Sequence, residues 1–333
     1  MYFLHSLISL AYYPSLSSGP KLVAKFISSF EIAKFVMNTL FLSCLIFIAR
    51  VFHADDITSA FIGQLLAVTV SLPFMHFSWR DYLPDSPQLN QKPSGEWYLI
   101  AGLNKIRQTC NEIKRVNEPM KWFFIAIAFG NPSQTSFVLI LPTFTKVFLN
   151  MSTGESALVL LIFNLSTALG ARCGSLLCCK KDPIFGSKMF LIFAFFTSFL
   201  CVLITEGPYG KSIFFSYLII CGICVGGYFT CESTLMTVLT PRDQEAEIMG
   251  IYIFVIRMLL WFPSLIFTGL NENGVGLNKA IAVIQCNALL AAFLLSKMGA
   301  YDEVMAASIT HKSQRNTCRI NLEISTASDS ELL

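Results

Sequence analysis

Five polar residues inside apolar runs are where this chain could do chemistry: Asn131, Gln134, Thr135, Glu232 and Arg257. Polar and ionised groups are costly in hydrocarbon, so in such runs they face a bundle interior or a water-filled cavity. Asn131 to Ser136 interrupt one run, and Pro132 lies among them. Proline has no N–H and its ring clashes with the preceding turn, so a helix is expected to break there. A break exposes backbone groups able to hold a small polar solute. The alternative is a kink whose freed groups are satisfied by neighbouring side chains. Glu232 lies nine residues before Pro241, and Arg257 lies ten after Glu247. At 1.5 Å per residue both sit roughly 13–15 Å from the same hairpin. Matched depth suggests that they neutralise each other, since a lone buried charge is strongly unfavourable. Equally, Arg257 could hold the carboxylate of a solute.

Other chemistry is poorly supported. His5, His53, His76 and His311 are scattered, and none pairs with a Ser or Cys in a plausible nucleophilic site. No Gly-rich phosphate loop is present. Cys221 and Cys224 form a CxxC, but a zinc or redox site would need a second ligand pair or a polar setting. We therefore expect no enzyme activity, no metal and no cofactor. A net charge of +3 gives no reason to expect a nucleic-acid partner.

The elements that position these residues follow from composition. The 333 residues are 54% hydrophobic and 14% charged, against roughly 45–50% and about 25% in soluble domains. The lipid bilayer is the solvent that such a chain fits. Spanning it takes about 20 apolar residues. Clear runs of that length lie near 32–52, 56–77, 121–148, 153–176, 187–206, 211–238, 246–270 and 278–297, with a weaker one at 2–15. The fold class expected is an all-α polytopic membrane protein of about nine spans.

Lys and Arg of short loops report orientation. Placing 78–120 in the cytosol gathers Lys21, Lys25, Arg80, Lys105, Arg107, Lys114, Arg115, Arg172, Lys180, Lys181, Lys188, Arg242 and the cations of the tail on one side. Arg50, Lys146, Lys211 and Lys279 stay opposite. Within this arm Leu99, Leu103, Ile106, Cys110 and Ile113 recur every three or four residues, the stripe of an amphipathic helix. Residues 301–333 have no periodicity and read as a disordered cytosolic tail. The eleven Cys read as small apolar side chains, with Cys178 and Cys179 beside Lys180 as candidates for palmitoylation. Gly222, Gly226 and Gly227 read as sites of close helix approach.

Several segments occur in the order of a known family. ISSF at 27–30 resembles a Ser-Ser segment opening a helix, SLPF at 71–74 a Pro near the end of a sixth helix, and LNKIRQTCNEIKR a basic central loop. NPSQT at 131–135 is similar to a break in a seventh helix. Gly226 and Gly227 followed by LTPRDQEAEIMGIY look like the pattern Pro-x-x-x-Glu-x-Glu-x-x-Gly-x-Tyr. Together they resemble the autophagy-related vacuole effluxers of the major facilitator superfamily. There are departures: Glu31 and Lys34 stand where that family has glycines, and Ser233 where it usually has Arg. The resemblance implies a remnant of a first helical bundle at 1–77, a cytosolic arm at 78–120 and a six-helix bundle at 121–300. It also implies a membrane transporter that exports amino acids or another small polar solute from the vacuole or lysosome to the cytosol, linked to autophagy. A coupling proton is left open. The alternative is a truncated, non-transporting membrane scaffold or regulator.

Single cysteines introduced at Ser94 and Ser325, in a background without reactive native thiols, are expected to react with an impermeant maleimide from the cytosolic side alone. Opposite accessibility of the two sites would overturn the orientation.

Overall fold

The computed structural model describes residues 20–51, 56–77, 118–204, 208–240 and 245–304, with isolated positions between 80 and 113. The expected weak span at 2–15, most of the arm at 78–120 and the tail beyond Val304 lie outside the described residues. Among the described residues the secondary structure is helical, without strands. Two helices come first: α1 (Pro20–Val51) and α2 (Asp56–Phe77). After the arm follow α3 (Glu118–Thr143), which runs on into a π turn at Phe144–Phe148, then α4 (Thr153–Lys180), α5 (Pro183–Val202) and α6 (Pro208–Leu239). The last part holds α7 (Glu245–Met258), α8 (Trp261–Glu272), α9 (Leu277–Ile284) and α10 (Cys286–Leu295).

Among the described residues, seven helical stretches are long and apolar enough to cross a membrane: Lys21–Ile48, Glu118–Phe148, Gly154–Lys180, Pro183–Val202, Tyr209–Leu239, Glu247–Glu272 and Leu277–Met298. The chain is thus an all-α polytopic bundle. The run expected at 56–77 is helical throughout, but its polar first turn and His76 leave the shorter apolar stretch Phe61–Pro73.

Two of the long spans are not continuous helices. Pro263 lacks an N–H, and around it the bonding tightens: Leu260 N–H donates to the Arg257 carbonyl at 3.2 Å and Phe262 N–H to that of Leu259 at 3.1 Å. This separates α7 from α8. A second change of direction falls at Gln285, between α9 and α10.

Pro132 does the opposite of what was expected. The helix α3 continues through it from Glu118 to Thr143. One missing hydrogen bond is tolerated in a packed span when nearby hydroxyls occupy freed backbone groups. Here Ser133 Oγ donates to the Gly130 carbonyl at 2.8 Å and Ser136 Oγ to that of Ser133 at 3.1 Å.

The bundle is organised around the crossing of α4 and α6. Lipid tails are as apolar as Leu, so helices associate through close packing at small residues. A Cβ added at Gly226 would stand 1.9 Å from the Thr167 carbonyl oxygen, and one at Gly170 would stand 2.2 Å from that of Ile223. At Gly174 the Gly227 oxygen would be 2.6 Å away. The reading of Gly222, Gly226 and Gly227 as close-approach sites holds. On the other flank α1 lies against α4, where Ser28 Oγ donates to the Ala171 carbonyl at 3.1 Å.

Helix ends are set locally. Ser152 Oγ accepts from Glu155 N–H at 3.3 Å while Glu155 Oε2 accepts from Ser152 N–H at 2.7 Å, a capping box that starts α4. Asp182 Oδ1 accepts from Phe185 N–H and starts α5, with Pro183 in its first turn. Order continues past the six-span unit, since Tyr301 to Val304 form a helical turn and Val304 is buried in the core. In the arm, Ile113 of the expected stripe packs on the bundle, whereas Ile106 is exposed and the neighbouring Thr109 is buried. Thr109 has taken that place because its Oγ1 donates to Glu247 Oε2 at 3.0 Å, tying the arm to the first turn of α7.

Gly226→Val is expected to lower stability by roughly 1–3 kcal/mol or to abolish folded yield, because the added carbons meet backbone that cannot move aside. Gly250→Ala meets nothing within 4 Å and should shift stability by at most about 0.5 kcal/mol. Thermal melting of the two variants in detergent checks this, and equal melting temperatures would show that the crossing is not tightly packed.

Candidate functional site

Glu232 is 1% exposed on α6. It is held entirely by hydrogen-bond donors. Asn131 Nδ2 on α3 reaches both carboxylate oxygens at 3.1 Å, and Tyr252 OH on α7 donates to Oε1 at 2.8 Å. Tyr228, one turn before Glu232 on α6, lies beside the same carboxylate. The Tyr228 hydroxyl rests on α3, 2.7 Å from where a Cβ on Gly130 would stand. Thr135 Oγ1 donates to Asn131 Oδ1 at 3.2 Å, fixing the amide so that its N–H groups point at Glu232. Three helices therefore converge on one carboxylate.

A second polar pair faces this cluster from α1. Glu31 is buried and forms an ion pair with Lys34 one turn on. The Glu31 charge lies within electrostatic reach of Glu232 and Tyr252. It occupies the stripe Ala24, Ile27, Ser28, Glu31 and Phe35 that buries α1 against α4 and α6.

NPSQT is divided between two surroundings. Asn131 and Thr135, four apart, share the face toward Glu232. Gln134 turns the other way and is fully buried against α10, with Nε2 donating to Gln285 Oε1 at 3.2 Å and to Ser133 Oγ at 3.3 Å. Gln285 Nε2 in turn donates to the Ser133 carbonyl at 3.4 Å. This polar layer separates two apolar cores. One holds Phe123, Tyr228, Leu235, Tyr252 and Leu295, the other Phe137, Phe144, Phe163, Tyr217 and Ile284.

The expected Glu232–Arg257 neutralisation gives way to this arrangement. Tyr252 is the α7 residue that meets Glu232, and at about 100° per residue Arg257 lies about 140° further round the helix. It is exposed beside Phe254 and Met258. Depth was matched but azimuth was not. The structure thus brings together Asn131, Thr135 and Glu232 and leaves Gln134 and Arg257 elsewhere.

Sequence reasoning missed Tyr228, Tyr252 and the pair Glu31–Lys34 as neighbours of Glu232. The signals were present. Tyr252 closes the Pro-x-x-x-Glu pattern, Tyr228 precedes Glu232 by four, and Glu31 and Lys34 were noted only as departures from glycine. Among the described residues no group of three or more His, Cys, Asp or Glu could hold a metal ion, and Cys221 and Cys224 are free and buried.

Comparison with known proteins identifies the family of the fold. Residues 47–265 match the family model of the Major Facilitator Superfamily. The chain belongs to that superfamily. Among solved structures of this fold it is similar to the fucose:proton symporter FucP of E. coli, with TM-score 0.61 and 10% identity over 88% of this chain and 73% of that one. It is also similar to a bacterial homologue of the iron transporter ferroportin in an outward-facing state, with TM-score 0.56 and 15% identity over 86% and 66% of the two chains. No curated protein matches it significantly in sequence. Major facilitator proteins are membrane transporters of small solutes, and the helical bundle is of that kind.

Asn131→Leu is expected to destabilise the protein by roughly 1.5–3 kcal/mol, because it leaves a buried carboxylate short of donors. Combined with Glu232→Met the loss should shrink, since no charged group remains to be satisfied. Melting temperatures of both single variants and the double variant measure the coupling, and strictly additive losses would show that the two residues do not interact.

Proposed function

We propose that this chain transports a small polar solute through motion of α1 and α2 against the six-span unit, with Glu232 as the central contact of the path. The observation that carries the reading is a carboxylate buried within a membrane-spanning helix, held by neutral donors from two other helices and approached by α1 through Glu31 and Lys34. Such a group is costly in the membrane and marks solute or ion pathways. Its chemistry favours a solute carrying an ammonium, which can take the place of the donors around Glu232. Amino acids fit that description.

Asn131 and Thr135 act beside Glu232 as substrate contacts. Arg257 and Gln134 are assigned to the path from sequence alone, Arg257 as a holder of the solute carboxylate and Gln134 as a polar lining. Export from the vacuole or lysosome to the cytosol, linked to autophagy, is supported by the LTPRDQEAEIMGIY resemblance. The end carrying Lys121, Lys180, Lys181 and Lys297 is then the cytosolic end, with 1–77 serving as part of a first bundle and 121–300 as the second. FucP is a proton symporter. By analogy Glu232 is the residue that would carry a coupling proton.

A second reading rests on a specific observation. Glu232 is fully occupied by protein donors, as a structural tie in a non-transporting scaffold would be. Reconstituted vesicles separate the two. Time-dependent uptake of a member of an amino-acid panel, reduced at least tenfold by Glu232→Gln with folded yield retained, is the expected result. No uptake of any solute by well-folded protein would favour the scaffold.

A further inference from the structure

The α4–α6 crossing ends in a pair of thiols. Both helices run in the same direction, and their contacts climb in register from Gly170 beside Ile223, through Gly174 beside Gly227, to Cys178 beside Cys231. One turn from the cysteines the backbones are so close that a Cβ on Gly174 would lie 3.0 Å from Gly227 Cα. At the cysteines themselves the two sulfurs are 3.4 Å apart, with Cys178 donating to Cys231, and Cys231 Sγ lies 3.7 Å from the Gly174 carbonyl oxygen. A Cβ on Gly186 of α5 would meet Cys231 Sγ at 2.7 Å. The thiols are therefore pressed together by three helices and have little room to turn apart.

We propose that Cys178 and Cys231 are a site of oxidative modification, closed to a disulfide by a peroxide. The sulfurs need approach by only about 1.4 Å to reach the 2.0 Å of a disulfide bond, and the close helix crossing supplies the short backbone separation that such a bond requires. The two partners differ in access. Cys231 is fully buried, whereas Cys178 is 8% exposed and lies two residues from the end of α4, where Lys180 and Lys181 mark the aqueous boundary. Cys178 is thus the sulfur that meets the oxidant. Its thiolate attacks a peroxide oxygen, the O–O bond breaks, and sulfenic acid and one water form. The Cys231 sulfur then displaces hydroxide from that sulfenic acid, the hydroxide takes the Cys231 thiol proton and leaves as the second water, and the S–S bond closes, the Cys178 proton having left in the first water. Overall two thiols and one hydrogen peroxide give one disulfide and two waters. The same inward position argues against palmitoylation of Cys178, whose sulfur points at Cys231. Because Glu232 follows Cys231 directly, the bond would pin the turn that carries the buried carboxylate.

The test needs no transport assay. Full-length protein in membranes is treated with hydrogen peroxide, acid-quenched, denatured and alkylated, with and without reductant, and then digested for mass spectrometry. The expected result is a reductant-sensitive peptide joining Cys178 to Cys231 and a loss of two of the eleven alkylatable thiols. In Cys178→Ser and in Cys231→Ala that loss should disappear. If either variant fails to fold, the cross-linked peptide of the unmodified protein decides alone. Persistence of both thiols at oxidant doses that consume the exposed Cys44 and Cys173 would overturn the proposal. So would accumulation of sulfinic acid on Cys178 without the joined peptide.

Discussion

A carboxylate that the fold takes out of water must find all its partners within the protein, and Glu232 shows what that demands. Its two oxygens accept from Asn131 and Tyr252, with Tyr228 beside them. Those residues sit on α3, α7 and α6, so one requirement sets the relative rotation of three helices. An unpaired buried polar group costs about 1–3 kcal/mol, and more when charged. Apolar packing alone would leave the same helices free to slide or rotate at little cost in lipid, where there is no hydrophobic drive between them.

Around that tie the bundle uses two different kinds of contact. Between α4 and α6 it is backbone against backbone, with glycines at the rungs below the Cys178–Cys231 contact, and Phe190 of α5 lies on Gly227. Between α3 and α10 it is polar, through Ser133, Gln134 and Gln285. The polar layer coincides with a discontinuity, since Gln285 is also where α9 gives way to α10. Two apolar cores lie on either side of that layer, joined through the half-buried Phe229.

Backbone interruptions in this chain follow packing more than composition. Pro132 lies where α3 is enclosed, with the side chains of Tyr228 and Ala291 pressed on the neighbouring Gly130, and the helix stays regular. Pro263 lies in a less enclosed span, between exposed Trp261 and Leu265, and there the helix divides. The same residue type has opposite outcomes because neighbours either hold the turn in place or leave it to relax.

The sequence by itself determined the solvent and the architecture class, because 54% apolar residues gathered into runs of about 20 can be stable only across a bilayer. Small residues at 222, 226 and 227 announced a close crossing, since only missing side chains allow it. Asn131, Thr135 and Glu232 were each legible as candidate site residues because polarity inside an apolar run is expensive wherever it occurs, but not as one cluster. Their partners were not. Depth along a helix can be counted from residue numbers, which is why Glu232 and Arg257 looked matched, but azimuth depends on how each helix is turned by all of its neighbours. Only the tertiary structure decided that Tyr252 rather than Arg257 meets the carboxylate, that Gln134 turns away from Asn131 toward α10, and that Cys178 meets Cys231. Each of these is a contact between helices far apart in the chain, set by packing that no local periodicity encodes.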